Sequence, residues 1–95
     1  MAKVLLEISY EVQPSRREEY LTLINELRLL YDDSKIAKLE VFEVQGSTNN
    51  FMEIYTYDSE ESFHNADDSS FDETVVKINE CLVPDKLKSY TLHEI

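Results

Sequence analysis

Hydrophobic and polar positions alternate at the start of the chain. Over residues 3–12 every second side chain is apolar or aromatic, and most of the side chains between them are polar. A period of two places consecutive side chains on opposite faces of a β-strand. The pattern therefore predicts a strand with one strongly apolar face, formed by Val4, Leu6, Ile8, Tyr10 and Val12.

The period lengthens to three and four residues after Pro14, which is typical of an α-helix with one buried stripe. Ser15 and Glu18 have the spacing of a capping box, in which the hydroxyl and the carboxylate accept hydrogen bonds from free amides of the first turn. We expect a helix that begins here and ends at residues 32–34. Its buried stripe consists of Tyr20, Leu23, Ile24, Leu27, Leu30 and Tyr31.

Residues 38–44 and 50–57 are rich in β-branched and aromatic side chains, and the residues between them are typical of a turn. The pair predicts an antiparallel hairpin. A second helical region follows, capped by Asp58 or Ser59, with Phe63 and Ala66 as its short apolar side. The polar residues 67–70 are expected to break this helix, because their side chains hydrogen-bond to their own backbone.

A further helical piece follows the break. Ser70 and Glu73 again have the spacing of a capping box, and Pro84 stops the helical pattern. The apolar positions at helical spacing are Phe71, Val75, Ile78 and Leu82, and those of a final strand are Leu87, Tyr90, Leu92 and Ile95.

The predicted order is β-α-β-β-α-β, so we expect residues 1–95 to form one α+β domain of ferredoxin-like type. Such a domain has a four-stranded antiparallel sheet with both helices on one face. The other face would still be half apolar, which is typical of an interface. Its apolar residues would be Leu5, either Leu39 and Val41 or Phe42 and Val44, and either Met52 and Ile54 or Phe51, Tyr55 and Tyr57. We therefore expect a homodimer in which two sheets stack face to face as an α+β barrel.

Charge and cysteine content restrict the partners and the compartment. Nine Lys and Arg against twenty Asp and Glu give a net charge of −11, which repels nucleic acid and anionic membranes. No apolar run approaches the ~18 residues that cross a bilayer, and Glu7 comes too early for a signal peptide. The lone Cys81 cannot form an internal disulfide, so a cytoplasmic location is expected.

Several segments resemble the antibiotic biosynthesis monooxygenase-like proteins. Residues 12–15 (VQPS), followed by Glu18, Glu19 and Tyr20, are similar to that family's strand-to-helix turn, typically Val-x-Pro-Gly with an acid and an aromatic residue after it. Residues 55–63 and 69–71 are similar to its third strand, interrupted second helix and recap. The order and lengths of the predicted elements match over nearly the whole chain.

The resemblance implies a dimeric α+β barrel with a small-molecule cavity in each subunit, between sheet and helices. Members of the family include cofactor-independent oxygenases of aromatic polyketides, haem-degrading enzymes and isomerases. The chain departs from the pattern at two places. It contains no Trp, so Tyr55 or Tyr57 stands where the family has a strand-end Trp. It also does not keep the His-x(4)-His spacing of the family's second helix, since His64 is present but the recap position carries Ser70.

His64 is the candidate general base, since the helix that carries it would cover the cavity and imidazole transfers protons near neutral pH. The alternative is a solvated helix histidine. The candidate ligand-binding residues are Tyr10, Tyr55, Tyr57, Phe63 and Tyr90, because aromatic rings combine a large apolar area with, in Tyr, a polar tip. Packing in the core or in a dimer interface is the alternative for each of them.

No metal or other cofactor is expected, because the chain has no Cys-x-x-Cys pair, no calcium-loop motif and no glycine-rich phosphate loop. The sequence thus favours a protein that binds or oxidises a small aromatic molecule without a cofactor. A non-catalytic acidic scaffold for a basic partner is the alternative. A third hypothesis is haem degradation, which would require His64.

Overall fold

Four strands and three helices follow one another along residues 2–95, the part of the chain that this computed structural model describes. Two short 3-10 turns, Pro14–Arg16 and Ser69–Phe71, directly precede the first and the last α-helix. The elements are β1 (Val4–Glu11), α1 (Arg17–Ser34), β2 (Lys38–Glu43), β3 (Asn50–Tyr57), α2 (Glu60–Asn65), α3 (Asp72–Glu80) and β4 (Lys88–His93).

The strands form one antiparallel sheet in the order β2-β3-β1-β4. β3 therefore lies between β1 and β2, so that α1 must cross over the sheet to connect them. This arrangement confirms the predicted ferredoxin-like α+β fold. The predicted interruption of the second helical region is confirmed as well, because α2 and α3 are separate helices.

The strand register decides which side chains face the helices. Leu6 of β1 pairs with Tyr55 of β3, which pairs in turn with Leu39 of β2. The ring of Tyr55 packs against Tyr31 of α1, so the side chains on this face of the sheet point toward the helices. Of the alternatives left open by the sequence, the open face of the sheet therefore carries Phe42 and Val44, together with Met52 and Ile54.

The core lies between this sheet and the stripe of α1. The stripe buries Tyr20, Ile24, Leu27 and Tyr31, four of its six predicted members, while Leu23 and Leu30 are half-buried. Complete burial of a residue such as Leu27 stabilises the fold by roughly 1.5–3 kcal/mol. Helix α3 adds Ile78 to the same core.

Two predicted helix caps are wrong. Ser15 lies within the 3-10 turn Pro14–Arg16, and α1 begins after Arg16 without a side-chain hydrogen bond at its cap. A second 3-10 turn similarly contains Ser70, and α3 begins without a side-chain cap. Both hydroxyls therefore lie inside a tighter turn, one residue before the position from which they could cap. Ser59 does cap α2, since its hydroxyl accepts a hydrogen bond from the amide of Ser62 at 3.1 Å.

The last strand is shorter than predicted and lies at an edge. β4 ends at His93, and both Leu87 and Ile95 fall outside it. All six residues of β4 are exposed, so helices cover neither of its faces. Among the described residues, no helix is both long and apolar enough to cross a membrane.

Candidate functional site

A single carboxylate lies inside the layer between the sheet and the helices. Glu53 is in the middle of β3 on the helix side and is 5% exposed. Its Oε1 accepts a hydrogen bond from the hydroxyl of Tyr55 at 2.6 Å, and its Oε2 accepts one from the hydroxyl of Tyr10. No ion pair joins Glu53 to a basic side chain within residues 2–95. Phenols, rather than a cation, therefore satisfy this buried acid.

A third phenol extends the cluster toward α1. The hydroxyl of Tyr20 lies 2.6 Å from that of Tyr10, and Tyr20 is 0% exposed. Its ring contacts Tyr10 edge to face and packs on Phe51 at a centroid distance of 4.7 Å. We call Glu53, Tyr10, Tyr20 and Tyr55 the carboxylate cluster. It joins three elements, since these residues belong to β1, α1 and β3.

The environment makes Glu53 a stronger base than an ordinary carboxylate. Burial raises the pKa of Glu53, while the hydrogen bonds from Tyr10 and Tyr55 lower it, and burial is the larger effect. Burial likewise raises the pKa of Tyr10 and Tyr55, and the nearby charge of Glu53 raises both further. The phenols therefore stay protonated donors, and Glu53 is the group of the cluster that can accept a proton.

A cavity of about 80 Å³ adjoins the cluster between the sheet and α3. Glu53, Tyr10 and Tyr55 form its polar end, and Ile8, Leu27 and Ile78 form apolar walls. Its outer side is formed by Asn79, which is exposed, and by Leu87, which is 52% exposed. The proton-accepting group thus lies at the inner end of an apolar cavity that opens between α3 and residues 83–87.

The cavity is small for a ligand. A void of roughly 150 Å³ holds one benzene molecule, and ligand pockets usually exceed about 300 Å³. The present cavity of about 80 Å³ is therefore too small for a whole aromatic ring. A complete aromatic ligand would have to displace Leu87, whose exposed side chain makes such a movement inexpensive.

A larger depression of about 560 Å³ lies at the opposite end of the layer. Tyr31 and Lys35 line it on the helix side, while Lys38 and Thr56 belong to the parity of the open face. Its lining does not include Glu53 or another buried acid. The cavity beside the carboxylate cluster is therefore the better candidate site, because it contains a buried proton acceptor, although it is the smaller of the two.

The predicted site residues fall into three groups. Tyr10 and Tyr55 meet at Glu53, as described above. Tyr57 and Phe63 contact each other edge to face at a centroid distance of 5.1 Å, where α2 packs on β3. His64 is exposed beside Phe63 and does not line the 80 Å³ cavity.

Tyr90 is separate from all the other predicted site residues. It pairs with Glu7 on the open face of β4 and is 57% exposed. A ligand contact by Tyr90 would therefore require a ligand on the open face. Its role in binding stays a prediction, as does the role of His64 as a base.

Sequence reasoning missed Glu53. Its signal was present in β3, where Glu53 occupies the same parity as Phe51, Tyr55 and Tyr57. An acid within an otherwise aromatic face of a strand needs buried hydrogen-bond donors. Tyr20 was expected only to pack, and its hydroxyl contact with Tyr10 depends on the crossing of α1 over the sheet.

A second hydrogen bond ties the segment before α3 to α1. The hydroxyl of Tyr31 donates to Oδ2 of Asp68 at 2.6 Å. The ring of Tyr31 contacts Tyr55 at 5.2 Å and Phe71 at 5.0 Å between centroids. Tyr31 thus connects the carboxylate cluster to the chain between α2 and α3.

Within residues 2–95, no three His, Cys, Asp or Glu side chains are grouped so that they could hold a metal ion.

Comparison with known proteins shows the fold. No protein-family model matches the sequence, and no curated protein matches it. A conserved protein from Methanosarcina mazei Go1 is similar in structure, with a TM-score of 0.85 and 15% identity over 100% of this chain and 95% of that one. A proposed antibiotic biosynthesis monooxygenase from Caulobacter crescentus CB15 has a TM-score of 0.84 and 10% identity over 99% and 91% of the two chains.

A third similar structure is SnoaB, a cofactor-independent oxygenase from Streptomyces nogalater. Its TM-score is 0.77 at 9% identity, over 95% of this chain and 90% of that one. These likenesses confirm the predicted resemblance at the level of the fold, which this chain shares with antibiotic biosynthesis monooxygenase-like proteins over nearly its full length.

Proposed function

We propose that this protein belongs to the antibiotic biosynthesis monooxygenase-like proteins and binds a small aromatic molecule, which it oxidises without a cofactor. The buried carboxylate at the inner end of an apolar cavity carries this proposal, because it is a proton acceptor shielded from water. The fold shared with a cofactor-independent oxygenase supports it.

Glu53 takes a proton from a phenol or enol of the bound molecule in this proposal. A carboxylate that burial has made more basic accepts such a proton more readily than an exposed one. The resulting anion then reacts with dioxygen. In the keto tautomer of such a phenol the reacting ring carbon is a CH₂ group, and its conversion to C=O balances without a further reductant: one oxygen atom enters the product as the new carbonyl, and the other leaves as water with the two hydrogens.

The apolar walls and the phenols have separate roles. Ile8 and Ile78 exclude water, which strengthens the interactions of the anion with fixed dipoles. Tyr55 and Tyr10 hold the carboxylate in one orientation. Leu87 moves aside to admit the rest of the ligand.

A second copy of the chain covers the open face of the sheet in this proposal. Exposed apolar side chains are spread over that face, including Phe42 at 51% and Tyr90 at 57%. Leu5 and Leu92, which pair with each other, continue the patch across β1 and β4. Stacking two such faces would bury the patch and produce a homodimeric α+β barrel. A cytoplasmic location suits the buried free thiol of Cys81.

A non-catalytic acidic binding module is the second candidate function, and the net charge of −11 favours it. Such a module would attract a basic protein through charge, so its binding would weaken as salt screens the charges. Binding of an apolar ligand next to Glu53 would change little with salt.

Oxygen consumption tests the proposed function. Catechol- and resorcinol-type polyphenols are added to the wild-type protein and to the variants Glu53→Gln and His64→Ala, and dioxygen uptake is followed. We expect uptake above the protein-free rate for wild type, a loss of at least tenfold in Glu53→Gln, and no loss in His64→Ala.

The other outcomes are equally informative. A loss in His64→Ala alone would assign the base to His64 and overturn the role of Glu53. Background rates for all three proteins, combined with salt-sensitive binding to a basic protein such as a histone, would favour the acidic module and contradict the oxygenase.

A further inference from the structure

Three phenol groups share one carboxylate in the carboxylate cluster, so their protons can be counted. Among the described residues, the hydroxyl of Tyr55 forms a hydrogen bond with Glu53 alone, and it donates its single proton to Oε1. Tyr10 contacts two groups, Glu53 and Tyr20, but has only one proton to donate. An ionised Glu53 can only accept, so the proton of Tyr10 points to Oε2.

The hydrogen bond between the two phenols then has only one possible direction. Because Tyr10 has used its proton on Glu53, Tyr20 must donate to the oxygen of Tyr10. The hydroxyl of Tyr20 has no other side-chain partner among the described residues, so its proton is free for this bond. All three protons therefore point toward Glu53, directly or through Tyr10.

Protonation of Glu53 disturbs this order. A neutral carboxyl carries one proton, which it donates to the oxygen of Tyr10 or to that of Tyr55, and the phenol that accepts it has to turn its own proton away. The hydroxyl of Tyr55 has no second partner among the described residues, so its displaced proton would be unpaired. For Tyr10 the only other partner is Tyr20, which would in turn have to give up its bond and leave a buried proton unpaired. The arrangement thus fits the ionised form better than the neutral form.

We propose that Tyr20 is a positioning residue, which directs the proton of Tyr10 to Glu53 and so keeps Glu53 ionised and ready to accept a proton. The inference rests on the proposed function in one respect, since it names Glu53 as the proton acceptor. Tyr20 itself does not line the cavity and does not touch a ligand there.

Few other groups compete for control of Glu53. From α1, Tyr20 and Tyr31 face the cluster, and the hydroxyl of Tyr31 is bonded to Asp68. The cavity-lining residues of α3 are Val75, Ile78 and Asn79, none of which titrates. On β2, Glu43 is neutralised by Arg17 at 2.6 Å. Beyond α3, the thiol of Cys81 is buried, and burial raises its pKa.

A titration of Glu53 in the free protein tests this role. The side-chain carboxyl ¹³C resonance of Glu53, assigned by its loss in Glu53→Gln, is followed with pH in wild type, Tyr20→Phe and Tyr31→Phe. We expect Tyr20→Phe to raise the pKa of Glu53 by up to about 1, the effect of losing one hydrogen bond. Tyr31→Phe is the control. It removes the hydroxyl of another tyrosine of α1, but that hydroxyl is bonded to Asp68, so the pKa of Glu53 should stay as in wild type.

Two further measurements keep the result decisive. In a Tyr10→Phe background, Tyr20→Phe should have no additional effect, since Tyr20 acts through Tyr10. Replacing Tyr20 by 3-fluorotyrosine preserves the packing and makes the phenol a better donor, so it should lower the pKa of Glu53 even if Tyr20→Phe does not fold.

The titration needs no ligand, so it can succeed where the oxygen assay fails. Where wild type consumes oxygen, the acid limb of the pH profile should move to higher pH in Tyr20→Phe, with KM little changed. Identical Glu53 titrations in wild type, Tyr20→Phe and the fluorotyrosine protein would overturn the proposal.

Discussion

Glu53 and Tyr10 are diagonal neighbours on the central pair of strands. Glu53 pairs directly with Ile8, and Tyr10 lies two residues farther along β1 on the same face, from where its hydroxyl reaches Oε2 of Glu53. Long side chains at diagonal positions of an antiparallel pair are within contact distance. A register shift of one residue would turn these two side chains to opposite faces, so the site and the sheet register depend on each other.

Glu53 should make the stability of the protein fall as pH rises. The unfolded chain releases the proton of Glu53 near its ordinary pKa of 4.5, whereas the folded chain holds it to higher pH. The free energy of unfolding therefore decreases with pH from about 4.5 up to the folded pKa. In urea titrations, the free energy of unfolding of wild type minus that of Glu53→Gln should be largest below pH 4.5 and smaller at neutral pH. Parallel stability curves would contradict the raised pKa.

The ion pair of Arg17 and Glu43 should have the opposite pH dependence. Two nitrogens of Arg17 bind Glu43 at 2.6 and 2.9 Å, and the amide of Asn49 donates to it at 2.9 Å. The hydrogen bond from Arg17, followed by that from Asn49, lowers the pKa of Glu43 to about 2. Its stabilisation is present above the ordinary pKa of 4.5 and is lost as pH falls toward 2.

Thermal unfolding of Glu43→Gln checks this dependence. Its Tm should lie below that of wild type at neutral pH, and the difference should vanish as the pH approaches 2. Glu73→Gln is the matched control, because it removes an exposed pair with Lys77 at 3.6 Å. A Tm difference for Glu43→Gln that persists unchanged in acid would argue against the ion pair.

Phe42 should be essential for association of two chains. Phe42 lies on the open face at 51% exposure, whereas Leu29 is 53% exposed on α1, away from that face. Phe42→Glu would place a charge in the stacked interface, while Leu29→Glu would not. Sedimentation equilibrium should find twice the chain mass for wild type and Leu29→Glu, and one chain mass for Phe42→Glu. A monomeric wild type would remove the barrel from the proposed function.

Tyr31→Phe should loosen the segment before α3. The variant keeps the ring contacts but loses the 2.6 Å hydrogen bond to Asp68, at a cost of about 1 kcal/mol. Amide hydrogen exchange should become faster over residues 66–71 and remain unchanged in β3. Tyr57→Phe is the control, since no side-chain hydrogen bond of Tyr57 exists among residues 2–95. Equal exchange in both variants would show that the bond does not hold this segment.

Leu87 should control entry to the cavity beside Glu53. Leu87→Ala opens the outer side, and because Leu87 is 52% exposed the loss of stability should be small, about 0.5 kcal/mol. Phenol added as a probe should then shift the amide resonances of Ile8 and Tyr55 at lower concentrations than in wild type. Val76→Ala, equally exposed on α3 but outside the lining, should bind phenol as wild type does. Equal phenol affinities in the two variants would exclude Leu87 as the entrance.

Local patterns predicted the elements well because each pattern reflects a local rule. The alternation from Val4 to Val12 required one apolar face, and the spacing of Ile24, Leu27 and Tyr31 required one buried stripe. The break between α2 and α3 followed from polar residues that bond to their own backbone. Caps were less predictable, because Ser15 has the correct spacing but lies in a 3-10 turn.

The chain alone determined the order of strands and helices, the excess of acidic charge and the single thiol, since these depend only on neighbouring residues or on composition. Tertiary structure decided which side chains of β2 and β3 face the helices and which face the open side of the sheet. It thereby decided the burial of Glu53 beside Tyr10 and Tyr55, and it also decided the exposure of Tyr90. The reason is physical: a carboxylate becomes a buried base only when strands and a helix distant in sequence enclose it and supply its hydrogen bonds. Tyr20, 33 residues before Glu53 in the chain, joins that cluster only because α1 crosses over the sheet.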